Sequence, residues 1–256
     1  MCIQQRMDFL KIKTLQAYAE SLEQMPHEPK ALLEEMHNGV TRFFRDEEAF
    51  RAWGQRFFEK NNGLPLRIWS VGCSTGEEAY SLAILLQELS LTRAKIFATD
   101  IHGPSILSAR RGVYSAAVAQ GISAARLQRF FRYEPQTGCY RVQKVIRNML
   151  VFSEHDIMKD PPLCSMDGIC CRNLLIYLNG EAQKKLILLF HYALRPQGIL
   201  FLGSSESTGD FGDLFQVLDR KQRLYQRKES TNLATSQRFL EYLPDLHQYK
   251  DIQDMQ

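Results

Sequence analysis

The sequence predicts an α/β fold: a doubly wound sheet, preceded by a helical segment and carrying a small antiparallel β-subdomain inserted before its third main strand. Three observations predict it. Residues 67–89, RIWSVGCSTGEEAYSLAILLQEL, read as strand, small-residue turn and helix, the opening unit of such a sheet. Short apolar runs then recur at residues 95–100, 149–153, 168–171 and 199–203, with helical patterns between them. Residues 138–146, GCYRVQKVI, alternate apolar and polar behind a Pro-Gln-Thr-Gly turn, which marks an antiparallel strand and an insertion around residues 132–147.

Composition narrows the field of functions. The chain has 256 residues, 45% of them hydrophobic, so it can fill the core of an α/β domain with a small accessory piece. A net charge of +3 is too mild to argue for nucleic acid. No apolar run reaches membrane-span length and no signal peptide is visible. The six cysteines, Cys2, Cys73, Cys139, Cys164, Cys170 and Cys171, show neither CxxC nor metal-ligand spacing, so a reduced, cytoplasmic protein is expected.

The first 60 residues read as a helical domain. Thr14 caps a helix with Leu15, Tyr18 and Leu22 on one face, and Pro26 and Pro29 mark a break. Residues 28–37 form another helix stopped at Gly39, and Thr41 caps the stretch containing Phe43, Phe44, Phe50 and Trp53. Nine Lys/Arg against ten Asp/Glu leave this part near neutral, which suits a helical cap on the main domain.

Residues 61–228 form the main domain. Its first strand breaks at Gly72 and Gly76, with Cys73, Ser74 and Thr75 between. Ser74 or Thr75 is expected to N-cap the next helix, with Glu77 and Glu78 in the first turn, where the helix dipole favours acids. Ala79, Leu82, Ala83, Leu86 and Leu89 form its apolar face. The turn lacks the Gly-Lys-Ser/Thr of a phosphate loop and the third glycine of a dinucleotide fingerprint. Gly72-Cys73-Ser74-Thr75-Gly76 fits a hydrolase nucleophile elbow at Ser74. That reading lacks context, because the turn follows the first strand, and the late histidines His191 and His247 fall on a helix face and in the tail. Acids beside the turn would repel a pyrophosphate and suit a cationic ligand.

The second strand ends at Asp100, an acid placed where ribose hydroxyls are commonly held. Helices follow through Ile106 and Ala109 to Gly112, and over residues 120–131. Arg172 and Asn173 immediately follow the fourth strand. Residues 180–194 form a helix closed by Pro196 and Gly198, and residues 215–219 and 224–227 pair as a closing hairpin. Residues 229–256 read as a polar tail with a loose helix near residues 238–242. The strand ends thus gather Gly72, Glu78, Asp100, Asp156, Arg172, Asn173 and Tyr177 at one edge. This crevice suits an uncharged nucleoside bearing a positive centre.

Five segments, VTRFFRDEEAF, GCSTGEEAYSLAI, FATDI, CRNLLIYL and LFLGSSES, occur in this order. Together they resemble the chemotaxis receptor protein-glutamate O-methyltransferases, the CheR family, over roughly residues 3–228. The front segment and DRKQRLYQRK at the end resemble the form fused to a receptor methylesterase. The resemblance implies a class I methyltransferase-like sheet that uses S-adenosyl-L-methionine and esterifies glutamate side chains of chemoreceptor-type proteins. Its alternative is a non-catalytic module that senses the cofactor or docks a partner.

The resemblance also implies roles for particular residues. Thr41 and Arg45 would reach over the cofactor, Arg45 pairing with its carboxylate, and Gly72 would shape the binding turn. Glu77 or Glu78 would lie near the methionine end and Asp100 on the ribose. Asp156 with Ile157, and Arg172 with Asn173, would frame the adenine and the reacting end, with Tyr177 near the transferred methyl as the catalytic candidate. Gly39 stands where some members carry a cofactor-contacting Asn and Asp156 where Asn is usual, so each place has one amide donor fewer. The implied partners are the methyl-accepting cytoplasmic helices of chemoreceptors, and a receptor C-terminal peptide through the β-subdomain. No metal and no nucleic acid is expected, and no membrane embedding. The acceptor carboxylate, with an ordinary pKa of about 4.3, is already ionised at neutral pH. Such a reaction needs alignment and no general base.

Overall fold

A computed structural model describes residues 2–26, 28–29, 32, 41–60 and 63–229. The helix expected over residues 28–37 lies largely outside these residues; its stop at Gly39, the helix near 238–242 and His247 lie wholly outside. The chain divides into two compact units, Met1–Arg42 and Phe43–Gln256.

In the first unit, helices α1 (Cys2–Leu10) and α2 (Leu15–Gln24) are described. Thr14 caps α2 as expected, its Oγ1 accepting from Ala17 N at 3.2 Å. The buried Glu28 accepts from Arg6 Nη2 at 2.6 Å and from the Tyr18 hydroxyl at 2.9 Å.

The second unit opens on α3 (Glu47–Lys60). Residues 43–46 before it form a turn with Phe44 and Asp46 left-handed, so no helix runs from Thr41. The sequence reading places α3 with the N-terminal domain, but its apolar face belongs to this unit: Phe50 meets Phe201 edge-on at 5.7 Å between ring centroids.

In chain order the remaining elements are β1 (Arg67–Val71), α4 (Glu77–Glu88), β2 (Lys95–Asp100), α5 (Gly103–Arg111), β3 (Val113–Ser115), α6 (Ala116–Ala119), α7 (Ala124–Phe130), β4 (Phe131–Glu134), β5 (Cys139–Val142), α8 (Lys144–Arg147), β6 (Leu150–Glu154) and β7 (Met166–Cys171). A 3-10 turn at Leu175–Tyr177, α9 (Gly180–Ala193), β8 (Leu194–Leu202), β9 (Phe215–Asp219) and β10 (Leu224–Arg227) complete them.

The main sheet has seven strands in the order β6-β2-β1-β7-β8-β10-β9. From β6 to β8 neighbours are parallel, whereas β10 pairs antiparallel with both β8 and β9. This order and the reversed strand near one side are those of a class I methyltransferase sheet. Side chains alternate across it, as strand geometry requires. Ile68, Ile96, Cys170 and Phe201 pack with α3 and α4 on one face, while Trp69, Ile169, Cys171 and Leu200 pack with α9 on the other. Each fully buried apolar side chain of this size contributes about 1.5–3 kcal/mol.

The inserted β-subdomain is a three-stranded antiparallel sheet, β3-β5-β4. Its third strand, β3, lies outside the expected 132–147, and residues 144–147 leave the strand for one helical turn, α8. A run of three residues is too short to show a period of two in sequence, which is why β3 was not legible. β8 begins at Leu194, directly after α9, so Pro196 and Gly198 lie within an irregular strand start rather than beyond a helix stop. No described helix is long and apolar enough to cross a membrane.

Candidate active site at the carboxyl edge of the sheet

The carboxyl ends of β1, β2, β7 and β8 meet at one edge, and their loops are cross-bonded there. After β1 the chain turns through left-handed Gly72 (φ 66°), Ser74 (φ 47°) and Gly76 (φ 97°). Gly76 is the N-cap of α4, with no side-chain cap bond, so neither Ser74 nor Thr75 fills the expected role. The Thr75 hydroxyl donates instead to the Glu77 carboxylate at 2.7 Å. Gly76 is required on two counts. Its φ disfavours any side chain, and a Cβ would lie 2.9 Å from Ala109 Cβ and 3.1 Å from the Tyr114 hydroxyl. Tyr114 donates to Thr75 O at 2.8 Å, and burial pushes its phenol well above the usual range.

Asp100, at the end of β2, closes this turn from the side. Its Oδ2 accepts from Ser74 N at 2.8 Å and its Oδ1 from His102 N at 2.9 Å. The acid is buried and orders two loops through their backbone.

Arg172 follows β7, and its side chain is 1% exposed. Nη2 donates to Asp46 Oδ2 at 2.6 Å, and Nη1 to the Arg45 carbonyl at 3.0 Å and to Glu78 Oε2 at 3.4 Å. The guanidinium also lies over the Phe201 ring at 4.7 Å from its centroid. Glu78 takes the Cys170 thiol at 3.2 Å as well. Burial raises the Glu78 carboxyl above its usual range, with Arg172 pulling it back. Arg172 therefore sits at the expected edge, but its charge is engaged by protein groups. Among the predicted residues, Arg45, Glu78 and Arg172 are brought into one hydrogen-bonded chain, joined by Asp46, which the sequence reading did not single out.

Asn173 is left-handed (φ 58°), and its N–H donates to Glu206 Oε2 at 3.0 Å. Glu206 also accepts from Leu175 N at 2.8 Å and from Gly203 N at 2.6 Å. This carboxylate, 4% exposed, binds the end of β8 to the loop that carries Tyr177. A Cβ on Gly203 would lie 2.7 Å from Glu206 Oε2 and 2.9 Å from Asn173 N, so the two backbones meet only because Gly203 has none. Glu206 lies within LFLGSSES, and its signal in the sequence is an acid three positions past a strand-ending glycine. Tyr177 itself is 59% exposed on its 3-10 turn.

The other predicted residues are placed more simply. Asp156 follows β6 and has local partners: its Oδ1 accepts from Met158 N at 3.0 Å, and Oδ2 pairs with Lys159 at 3.0 Å. The Lys159 hydrogen bond holds its carboxyl below the usual range. Ile157 is half-buried on the α9 side of the sheet. Thr41 belongs to the first unit. His191, the late histidine of the hydrolase reading, is buried on α9, bonded to Lys228 O at 3.2 Å and edge-on to Phe215.

Glu77, Glu78 and Asp100 are all bonded by protein donors, and their negative charge around a tight turn with no lysine disfavours a polyphosphate. Fold and site thus define an S-adenosylmethionine-dependent methyltransferase. The chain belongs to the CheR methyltransferase family, whose SAM-binding domain matches residues 39–224. It is 34% identical over 200 residues to chemotaxis protein methyltransferase 1 of Pseudomonas aeruginosa, covering 73% of each chain. It is 31% identical to chemotaxis protein methyltransferase Cher2 of Pseudomonas putida, covering 80% of each. It is also 37% identical over 235 residues to an uncharacterized 104.1 kDa protein of Rhodobacter capsulatus, of which it spans only 24%.

Proposed function

We propose that this chain transfers a methyl group from S-adenosyl-L-methionine to glutamate side-chain carboxylates of chemoreceptor-type proteins, giving methyl esters. One observation carries the reading: loops from β1, β2, β7 and β8 are locked together at the carboxyl edge, with Arg45 held beside them by Arg172. The cofactor supplies an electrophilic methyl on a sulfonium centre. Gly72, Asp100 and Asn173 are suited to its nucleoside, Arg45 to its charged amino-acid end, and Tyr177 to the reacting end. Asp156 and Ile157, after β6, are suited to the base. Glu77 and Glu78 are turned toward Thr75 and Arg172, so they act by shaping the turn.

The acceptor carboxylate is ionised at neutral pH, so the protein has no proton to remove. Its task is to exclude water and set the angle of approach, a contribution on the order of 7–11 kcal/mol at best. The proposed acceptors are acidic cytoplasmic helices. A receptor C-terminal peptide would add to an outer strand of the small sheet, β3 or β4, through backbone hydrogen bonds. The test is incubation with methyl-labelled S-adenosylmethionine and receptor cytoplasmic fragments. Base-labile label on the fragment is expected. Tight cofactor binding with no label would instead make the chain a sensing or docking module.

A further inference from the structure

The small sheet reaches the turn between β1 and α4 through one side chain. Tyr114, in the middle of β3, pairs with Tyr140 of β5, and its ring is buried. Phe43 meets that ring edge-on at 4.9 Å between centroids, and Tyr80 of α4 meets it edge-on at 6.0 Å. Held in this way, the phenol donates to the Thr75 carbonyl at 2.8 Å. Burial keeps it protonated well beyond neutral pH, so it stays a donor throughout the neutral range.

The Thr75 carbonyl shares a planar peptide with the Gly76 N–H, so fixing one end fixes the other. Gly76 N–H donates to Cys73 O at 2.9 Å, and this peptide is therefore bonded at both ends. It lies between Ser74 and Gly76, both left-handed, where a rotated peptide plane would turn the whole bend. The neighbouring anchors of the bend come from β2: Asp100 takes the Ser74 N–H at 2.8 Å, and Cys73 N–H donates to Thr99 O at 3.0 Å. Tyr114 adds a hold from outside the main sheet.

We infer that Tyr114 is a positioning residue for cofactor binding: from the small sheet it fixes the Thr75–Gly76 peptide and so sets the shape of the turn that receives the nucleoside. This rests on the function proposed above for that turn. It makes the small sheet part of the support of the cofactor site as well as a docking surface. Linkage is reciprocal, so cofactor binding steadies β3 in return.

The test is calorimetric titration of the full chain with S-adenosylhomocysteine. Tyr114→Phe keeps the ring and removes the bond. The dissociation constant is expected to rise about fivefold, and KM for S-adenosylmethionine by a similar factor, while kcat changes little. Tyr80→Phe is the matched control, because it removes another buried hydroxyl, bonded at 2.8 Å to Ala109 O and not to the turn. It should lower stability comparably and leave the dissociation constant within about twofold. Unchanged affinity in Tyr114→Phe, or equal losses of affinity in the two variants, would overturn the inference. Should Tyr114→Phe fail to fold, hydrogen exchange on the unsubstituted protein decides. S-adenosylhomocysteine is expected to slow exchange in β3 and β5 about threefold more than in β10, which stands three places from β1 in the main sheet. Equal slowing in these strands would overturn it. Failure of the unsubstituted protein to bind the nucleoside would instead overturn the functional reading on which it rests.

Discussion

The two edges of the main sheet are built from the same strands and differ in what their loops do with charge. At the carboxyl edge, charged groups are buried and bonded to distant parts of the chain: Arg172 to Asp46, Glu206 to three backbone amides, Asp100 to two. At the amino edge they are more exposed; Asp167, 20% exposed, accepts from Arg67 N at 2.7 Å as well as from Arg195, and the cations bond singly to backbone carbonyls or to this acid. Arg93 donates to Gly63 O at 3.0 Å, Lys95 to Asn148 O at 2.7 Å, and Arg195, 46% exposed, pairs with Asp167. Left-handed residues occur at both edges, Ser90 and Gln197 at the amino side among them, so backbone strain alone marks tight turns and not chemistry. Cavities mislead as well. Two of about 100 and 230 Å³ lie at the amino edge, one bordered by Leu66 and Leu91, the other by Gln87 and Met149, and both by Arg93. What separates the edges is the number of loops one buried charge ties together.

Substitutions can break that contrast, and the largest effect is expected at the glycine turn. Gly76→Ala combines an unfavourable φ with contact against Ala109, and should cost about 4 kcal/mol of stability, read by urea denaturation. Glu206→Ala leaves three backbone amides without their acceptor and should cost about 3 kcal/mol, with methyl transfer falling because the Tyr177 loop is released. Equal losses from acids at the amino edge would erase the distinction.

A control lies on neither edge. Burial, with Arg227 nearby, lowers His191 from 6.5 to about 4. Above pH 6.5 both folded and unfolded states are neutral at this group, and its contribution to stability is complete. As pH falls from 6.5 toward 4, the unfolded chain takes a proton that the folded one refuses, so stability declines. The loss should reach about 2 kcal/mol after allowance for solvent screening, and His191→Gln should flatten it. Cofactor affinity, measured where the fold is intact, should not follow this profile. Tyr177→Phe sharpens the contrast within the active edge: turnover should fall about tenfold, or 1.4 kcal/mol, with nucleoside affinity unchanged. Arg93→Ala, at the amino edge beside both cavities, should stay within about 0.5 kcal/mol in stability and leave transfer unaltered.

The sequence by itself determined the α/β layering, the five parallel strands, the hairpin that closes the sheet, the inserted antiparallel strand, and the edge on which Gly72, Asp100, Arg172 and Tyr177 gather. Those features rest on periodicity and on turn residues, which act over a few positions and are readable locally. Tertiary structure alone decided which charges are bonded to distant parts of the protein. Arg172 reads as a cofactor contact in sequence; in the fold its guanidinium is buried and paired with Asp46, 126 positions away. Glu206 reaches Asn173 across 33 positions, and Gly76 is fixed as the helix cap by Ala109 and Tyr114 from elements beyond β2. β3 emerges only when β5 is there to pair with it. A hydrogen bond between remote residues leaves no periodic trace in a single chain, so the choice between holding a ligand and holding a loop is made by packing.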